Sequence, residues 1–424
     1  MFRMRYIYLS GLAFFAFILS PMCAKAQLSS SANEADMAVA LDAASRGAYL
    51  EAVQRAKDAA FDKDNQIKDP FAVGTWRLLS SWAGGEAPPK TPAQSGNLSS
   101  ELNQIKRAVA HDALREIVQR ARRTRIVILN EDHIVPRDRA FALKVARALK
   151  PLGYRYLAIE ALTNGVDQAG TIERMRDLAS RGYIRLDDGF LTKDPIFADF
   201  LNHSMGMGYQ LVPYEYVSSN VSHTVDVQVS REKVQAANIY NTILKNHPGA
   251  KVFIYVGFGH VAESSLGTFP DGRPRKEMAA WLKEISSINP LTIDQSSIGD
   301  SRSSDSNEKI YEAAGRKASG RSITLFDNRR PLILGRFHGS VDLQIVHPPK
   351  KLKNGRPDWM RAMGRIPQRS PAWIAGISKP TLLQVFPEKG SFDAVPLDQI
   401  MVIPGKAAPP LMVYHGPVRF SVQQ

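Results

Sequence analysis

Apolar and polar positions alternate along the middle of the chain in a pattern typical of a sheet covered by helices. Short runs that are apolar throughout predict buried strands, and longer segments with apolar residues every three or four positions predict helices between them. Strands without a polar face are buried on both sides, so residues 110–298 are predicted to form an α/β domain with a mostly parallel sheet and helices on both faces. The predicted strands are 125–129 (RIVIL), 154–159 (YRYLAI), 209–214 (YQLVPY), 251–256 (KVFIYV) and 290–293 (PLTI).

Start and stop residues mark the helices between these strands. The clearest helix begins at Pro136 and ends at Gly153, and a later one takes Ser230 as its N-cap. Asp194 stands before a proline and is predicted to be a structural N-cap. The further predicted helices are 100–122, 169–181 and 194–206, and the helix with Ser230 runs over 230–247.

Two segments flank this core. Residues 27–109 are rich in Ala with helical spacing, and predict a helical N-terminal region with a Gly/Pro/Ser-rich linker at 85–100. Residues 299–424 begin with a polar stretch and continue with short apolar pieces between prolines, which predicts a basic, β-rich C-terminal segment. That segment is either an appended β module or an elaboration of the α/β core.

Residues 1–26 have the layout of a secretory signal peptide. Arg3 and Arg5 precede an apolar run that is too short to span a bilayer, and a small-x-small site ends at Ala26. We therefore expect an exported, periplasmic protein without a lipid anchor, with an uncleaved membrane anchor as the alternative. The chain's only cysteine, Cys23, lies in this segment. Disulfides, thiolate catalysis and zinc–thiolate sites are excluded for the mature chain.

The chain is basic, and the excess charge is uneven. The net charge of +14 falls to +11 without Arg3, Arg5 and Lys25, and residues 299–424 hold 19 Lys and Arg against 10 Asp and Glu. No nucleic-acid motif accompanies this charge, so no nucleic-acid partner is predicted. In the envelope, anionic head groups and wall polymers are the accessible polyanions, and a generally basic solvated surface is the simpler interpretation.

Ionisable side chains stand at, or shortly after, the carboxyl end of every predicted strand. In an open α/β sheet, ligands bind outside these ends, and parallel strands bring the ends to one edge. Carboxylate–histidine pairs at such an edge shift each other's pKa and act as acid and base. The residues are Glu131, Asp132 and His133 after the first strand, Glu160 after the second, Glu215 after the third, His260 after the fourth and Asp294 after the fifth.

The sequence favours a functional role more strongly for some of these strand-end residues than for others. Gly257 and Gly259 permit a tight backbone immediately before a histidine, which favours a site there. Asp132 is interpreted as a turn residue, Asp294 as a binding residue or a cap, and Glu215 as a binding residue or a salt bridge under a loop. The predicted catalytic residues among the strand ends are Glu131, His133, Glu160 and His260.

One helix adds to this set. Arg231, Gln235 and Asn238 share a face of the 230–247 helix, because residues four and seven positions apart lie on the same side. Arg231 is predicted to hold a carboxylate or an oxyanion, and a solvated polar stripe is the alternative.

At these residues the chain resembles the superfamily that contains the erythromycin esterases, the ChaN-type haem-uptake proteins and the Tiki proteases. The motifs ILNEDH, IEAL, REKVQAAN and VGFGHV carry the resemblance, over about residues 125–298. It implies an α/β fold with a site at the strand ends. Asn130 departs from the pattern, since the family commonly has glycine there. By position, the motif residues are Glu131, His133, Glu160, Arg231, Glu232, Asn238 and His260.

The first predicted function is hydrolysis of an ester, lactone or amide. His133, oriented by Glu131 or Glu160, would be the general base on a water, and His260 and Arg231 would stabilise the oxyanion. In a metal-assisted variant, a divalent ion such as zinc, manganese or cobalt would be held by His133, Glu160 and His260.

Two other functions remain open. The first is a periplasmic protein that binds haem or another small ligand, with Tyr214, Tyr216 and Tyr255 near the strand ends. The second is an inactive scaffold whose basic C-terminal segment contacts envelope polymers.

Overall fold

The computed structural model describes residues 31–84, 98–216, 224–299 and 305–424. The predicted signal peptide and most of the predicted linker lie outside these ranges. Within them, no helix is both long enough and apolar enough to cross a membrane.

A mostly parallel central sheet confirms the predicted α/β class. In the described part of the chain it has nine strands in the order β1-β7-β9-β6-β2-β5-β3-β4, with β8 paired to β7. β2 to β6 and β9 run parallel, whereas β1 and β7 are antiparallel to their neighbours. All five predicted strands are present. The strands are β1 (Val109–Asp112), β2 (Ile126–Glu131), β3 (Tyr154–Ile159), β4 (Gln210–Pro213), β5 (Lys251–Gly257), β6 (Leu291–Asp294), β7 (Ile323–Asp327), β8 (Arg330–Pro331) and β9 (Leu343–Val346).

Helices cover both faces of this sheet, as predicted. Successive strand residues point to opposite faces, so Val127 and Leu129 pack in one core cluster and Ile126 and Ile128 in another. The described helices are α1 (Ser31–Ser45), α2 (Tyr49–Ala60), α3 (Pro70–Trp82), α4 (Leu98–Arg107), α5 (Ala113–Ala121), α6 (Pro136–Leu149), α7 (Gln168–Arg181), α8 (Pro195–Gly206), α9 (Val225–Ile239), α10 (Met278–Ser286), α11 (Asp305–Gly315) and α12 (Trp359–Ala362). α6 and α8 lie on the first face, and α9 and α10 on the second.

Two predicted helices differ from the structure. The helix at 100–122 is interrupted by β1, because these residues pair with β7, a strand far along the chain. The helix predicted at 230–247 begins earlier, at Val225, and ends in a π-turn over Tyr240–Leu244. Its N-cap is Thr224, whose side chain accepts a hydrogen bond from Val227 N. Ser230 therefore lies inside the helix.

The C-terminal segment is partly an elaboration of the core. β7, β8 and β9 complete the central sheet, so the predicted boundary at residue 298 falls within that sheet. The rest of the segment forms small antiparallel sheets, in agreement with the prediction of a β-rich region. Their strands are β10 (Leu352–Lys353), β11 (Arg356–Pro357), β12 (Ile366–Gln368), β13 (Thr381–Pro387), β14 (Asp398–Val402), β15 (Leu411–Val413) and β16 (Val418–Gln423).

Candidate functional site

The carboxyl ends of β2, β5 and β3 meet at one edge of the sheet. Glu131 is in register with Gly257, and Ile159 at the end of β3 is in register with Tyr255. Glu160 follows β3 directly and is buried. The parallel pairing therefore brings the first, second and fourth predicted strand ends together.

A buried histidine–glutamate pair lies at the end of β2. His133 Nδ1 is 2.6 Å from Glu131 Oε1, and the other carboxylate oxygen accepts from Arg139 Nε and from the Tyr255 hydroxyl, both at 2.8 Å. Burial alone raises the pKa of Glu131, but Arg139 and His133 outweigh it and lower that pKa to about 2. Glu131 is thus ionised and fixes the orientation of the His133 ring.

Arg139 and Asp194 support this pair from two helices. Arg139 is fully buried, donates to the carbonyl oxygen of His133 at 2.8 Å and forms an ion pair with Asp194. Asp194 also caps α8 as predicted, since it accepts from Ile196 N and Phe197 N. Sequence reasoning treated Asp194 as purely structural and did not consider Arg139.

A second histidine–glutamate pair stands at the end of β5. His260 Nδ1 is 2.7 Å from Glu232 Oε2, which also accepts from Met278 N at 2.7 Å at the start of α10. Burial lowers the pKa of His260, but the negative charges of Glu232 and Glu160 raise it overall to about 9. The imidazole is therefore cationic at neutral pH.

The other nitrogen of His260 faces two groups of opposite charge. Nε2 is 3.1 Å from Arg231 Nη1 and 3.4 Å from Glu160 Oε1. A guanidinium can only donate, so a proton on Nε2 is stabilised by Glu160 and opposed by Arg231.

Glu160 joins the two pairs. Its Oε2 accepts from Gly257 N at 2.6 Å, and its Oε1 accepts from Arg231 Nη2 at 2.8 Å. A Cβ placed on Gly257 would lie 2.6 Å from His133 Cε1 and 3.2 Å from Glu160 Oε2. The Glu160 carboxylate and the His133 imidazole therefore both pack against Gly257. Burial raises the pKa of Glu160, but His260 and Arg231 outweigh it and lower that pKa.

Arg231 is a buried organiser of this cluster. It donates to Glu215 through Nη2 at 2.5 Å and through Nε at 3.0 Å, in addition to its bond with Glu160. Gln235 Nε2 donates to the same Glu215 carboxylate at 2.9 Å, and Asn238 Nδ2 donates to Tyr214 O at 3.0 Å. This face of α9 is a wall of the site and not a solvated stripe. The guanidinium contacts carboxylates, which is the first of the two contacts predicted for Arg231.

Asn130 stands where the resemblance predicts a glycine, and its side chain makes structural contacts. Its Nδ2 donates to Phe258 O and to Asp294 Oδ1, both at 2.8 Å. Phe258 has a φ of 38°, a backbone conformation that is strained for a bulky residue. Asn130 thus ties this turn to the end of β6. Asp294 is fully buried and also accepts a hydrogen bond from Ser296 Oγ, so it holds the end of β6 to the turn that follows it. Asp132 Oδ1 accepts from Ile134 N at 3.3 Å, as expected of a turn residue.

One group of potential metal ligands lies among the described residues. Ligand atoms of Glu232, His260 and Glu277 fall within 4.8 Å of one another. This set shares only His260 with the predicted set of His133, Glu160 and His260. One imidazole nitrogen and carboxylate oxygens suit zinc, manganese or cobalt.

Sequence reasoning missed Glu277. It immediately precedes α10 and accepts from Arg275 at 2.8 Å, and burial and the charge of Glu232 raise its pKa. An acid directly before an apolar helix was the available signal.

Exposure increases from the first pair to the second. The side chains of Glu131 and His133 are 2% and 4% exposed, whereas those of Glu232 and His260 are 8% and 16% exposed. A solute therefore reaches the cluster from the His260 side.

No family model matches the chain, and no curated protein matches its sequence. Solved structures of bacterial effectors and toxins align with it at low similarity. The type III effector HopBA1 aligns with a TM-score of 0.30 and 16% identity, over 46% of this chain and 87% of HopBA1. RRSP, a MARTX toxin effector domain from Vibrio vulnificus, aligns with a TM-score of 0.34 and 16% identity, over 62% of this chain and 56% of its own.

The C-terminal region of the Pasteurella multocida toxin, described as having a thiol-protease-like catalytic triad, aligns with a TM-score of 0.36 and 10% identity. The alignment covers 98% of this chain and 60% of that one. At these TM-scores, none of the three structures indicates what this chain does.

Proposed function

We propose that the chain is an exported hydrolase of an ester, lactone or amide, related to the erythromycin esterase, ChaN and Tiki superfamily. One observation carries the proposal: two histidines, each anchored by its own glutamate, flank the buried carboxylate of Glu160. His133 Nδ1 is 2.6 Å from Glu131, and His260 Nδ1 is 2.7 Å from Glu232. Paired titratable groups with different environments are the usual basis of acid and base roles.

In the proposed mechanism, His260 is the acid. It is the more exposed of the two imidazoles, and the surrounding carboxylates keep it charged. A cationic N–H stabilises the negative charge that develops on a carbonyl oxygen and later protonates the leaving group.

His133 is the base that takes a proton from the attacking water. Glu131 accepts at Nδ1, which leaves Nε2 as the basic nitrogen. Glu160 lies close to both imidazoles. Its negative charge stabilises a positive charge on either one as the proton moves. Arg231 positions the carboxylates of Glu160 and Glu215.

Hydrolysis by purified protein of a panel of esters, lactones and peptides tests this function. We expect His260→Gln and His133→Gln each to lower kcat/KM by roughly 10²-fold or more, the usual contribution of a positioned acid or base. His111→Gln is the matched control, because His111 Nδ1 contacts Glu116 at 2.8 Å but belongs to β1. Failure to hydrolyse any member of the panel, or full activity of both variants, contradicts the proposal.

Glu232, His260 and Glu277 favour a metal-assisted version as a second candidate. A divalent ion would supply Lewis-acid stabilisation of the oxyanion, and its binding requires an unprotonated His260 Nδ1. Anomalous scattering at the zinc, manganese and cobalt edges locates such an ion directly. Loss of the ion from Glu277→Gln, with no loss from Glu263→Gln on the loop that follows His260, supports this site. Retention of the ion in Glu277→Gln contradicts it.

Haem binding and a scaffold role make different predictions. A haem-binding protein gives a Soret band when haem is added. A scaffold binds anionic vesicles equally well after substitutions at His133 and His260, and it loses this binding when basic residues of 299–424 are replaced.

Export is tested by sequencing the N-terminus of the secreted protein, which we expect at Gln27.

A further inference from the structure

A serine and a histidine that the proposed mechanism does not use face each other further along the same sheet edge. Ser322 immediately precedes β7, and His347 immediately follows β9. The strands pair through Ile323 and Val346, which places Ser322 Oγ 2.8 Å from His347 Nδ1. The imidazole is buried, whereas the serine is partly exposed. The serine side is therefore the less buried side of the pair.

The amide of Gln295 decides which nitrogen of His347 carries the proton. Gln295 Nε2 donates to Asn130 O at 2.7 Å and to Asp138 O at 3.3 Å. The amide oxygen must then point the other way, where Oε1 lies 3.0 Å from His347 Nε2. An amide oxygen only accepts, so Nε2 bears the proton and Nδ1 presents its lone pair to the Ser322 hydroxyl.

Burial and two neighbouring cations favour the neutral form of His347. Burial lowers its pKa well below the usual value, and Arg137 and Lys144 lower it further. Asp138 Oδ1 lies 3.8 Å from Nε2, and burial raises the pKa of that carboxyl well above its usual range. A neutral imidazole facing a hydroxyl is in the state that accepts a proton.

We propose that Ser322 is a nucleophile activated by His347 and oriented through Gln295, at an acyl-accepting site separate from His133 and His260. Serine, imidazole and amide are then nucleophile, base and orienting group, the roles that recur in unrelated hydrolase folds. Acyl transfer to a serine takes a carboxylic ester as its substrate class.

The reaction consumes only the ester and water. Ser322 Oγ bonds to the carbonyl carbon, the bond from that carbon to the ester oxygen breaks, and the hydroxyl proton passes through His347 Nδ1 to the leaving alcohol. Water then hydrolyses the acyl-serine, releases the acid and restores the hydroxyl.

A fluorophosphonate probe tests the nucleophile directly, because the serine oxygen displaces fluoride and keeps a stable bond to phosphorus. We expect one adduct on Ser322 of the full chain, mapped by mass spectrometry, and none in Ser322→Ala. His347→Gln should slow labelling by ~10²-fold, the usual contribution of a general base. Ser264→Ala is the matched control and should label normally, since Ser264 contacts Gly339 O and Ser340 Oγ and no imidazole.

A second measurement avoids dependence on the buried histidine, whose replacement can unfold the chain. Ser322→Cys is nearly isosteric, and its alkylation by iodoacetamide should persist to lower pH than that of Ser264→Cys, because His347 takes the thiol proton. A folded chain that gives no Ser322 adduct, or identical pH profiles for the two thiols, overturns the proposal. His260→Gln should leave labelling unchanged, which separates this test from that of the proposed hydrolase.

Discussion

Gly257 and Gly259 flank Phe258 in the turn that carries His260, and their surroundings differ. A Cβ on Gly257 would lie 2.6 Å from His133 Cε1, whereas a Cβ on Gly259 would come no closer than 3.6 Å to any neighbour. Neither glycine has a positive φ, so alanine fits the backbone at both positions. The close contacts with the His133 ring and with Glu160 Oε2 at 3.2 Å distinguish Gly257 from Gly259.

We therefore expect Gly257→Ala to displace the His133 ring and to lower hydrolysis by roughly 10²-fold, since a misplacement of about 1 Å has this effect on positioned groups. Gly259→Ala should keep activity within a few fold. Equal activities of the two variants, measured as kcat/KM, would show that the His133 position is not needed.

The ionised Glu131 makes the free energy of unfolding decrease as the pH falls in the acid range. Its pKa falls from 4.5 in the unfolded chain to about 2 in the fold, so its contribution is complete above pH 4.5 and is lost as the pH falls towards 2. The contribution is on the order of 3 kcal/mol, at about 1.4 kcal/mol for each pKa unit.

Denaturant unfolding at several values between pH 2 and pH 6 measures this dependence. Glu131→Gln should flatten the loss of unfolding free energy below pH 4.5, whatever its stability at pH 6. Glu51→Gln, at an exposed position on α2, should show the same dependence of unfolding free energy on pH as the unsubstituted chain. A natural slope in Glu131→Gln would mean that other carboxylates cause the acid sensitivity.

At the scale of elements, α8 begins at an acid that also serves the site. Asp194 caps the helix and pairs with the fully buried Arg139. Asp69 is a comparable cap at the start of α3, where it accepts from Phe71 N and Ala72 N. The two aspartates separate the effect of a cap from that of a buried ion pair.

Asparagine preserves an N-cap but removes the charge. We expect Asp69→Asn to change the unfolding free energy by less than about 1 kcal/mol. Asp194→Asn should lower the free energy of unfolding by about 3 kcal/mol or more, because the buried Arg139 guanidinium loses one of its two neighbouring negative charges. Thermal or denaturant unfolding of the two variants gives the comparison. Similar costs would show that Arg139 is satisfied by Glu131 alone.

For the whole molecule, the central sheet makes residues after 298 part of the core. β6 pairs with β9 through Ile293 and Leu343, and Gln344 Nε2 donates to Asp294 at 3.0 Å. A fragment that stops at residue 298 exposes the apolar edge of β6 and leaves β1 without its partner β7.

We therefore expect residues 31–298 to lack a cooperative unfolding transition and residues 31–424 to show one, as followed by circular dichroism. The longer chain controls for loss of the predicted signal peptide. Cooperative unfolding of the shorter fragment would show that the sheet is complete without β7 to β9.

Five core strands, the helices on both faces of the sheet and the residues at the strand ends were predictable from the sequence. These features follow from local patterns: an apolar run forms a strand wherever a core covers it, and parallel strands bring their ends to one edge. Glu131, His133, Glu160 and His260 were found in this way. The interruption of the 100–122 helix escaped the same reasoning, because pairing with distant β7 overrides local helical spacing.

The pairing of the side chains became known only from the assembled fold. Arg139 on α6, Glu277 before α10 and His347 after β9 belong to other elements than the groups that they contact, and the local sequence does not say which partner each one takes. Packing also turned Arg231 towards carboxylates and gave Asn130 its contact with Phe258. Such pairings depend on how buried polar groups satisfy one another once the elements are assembled, which is a property of the whole fold.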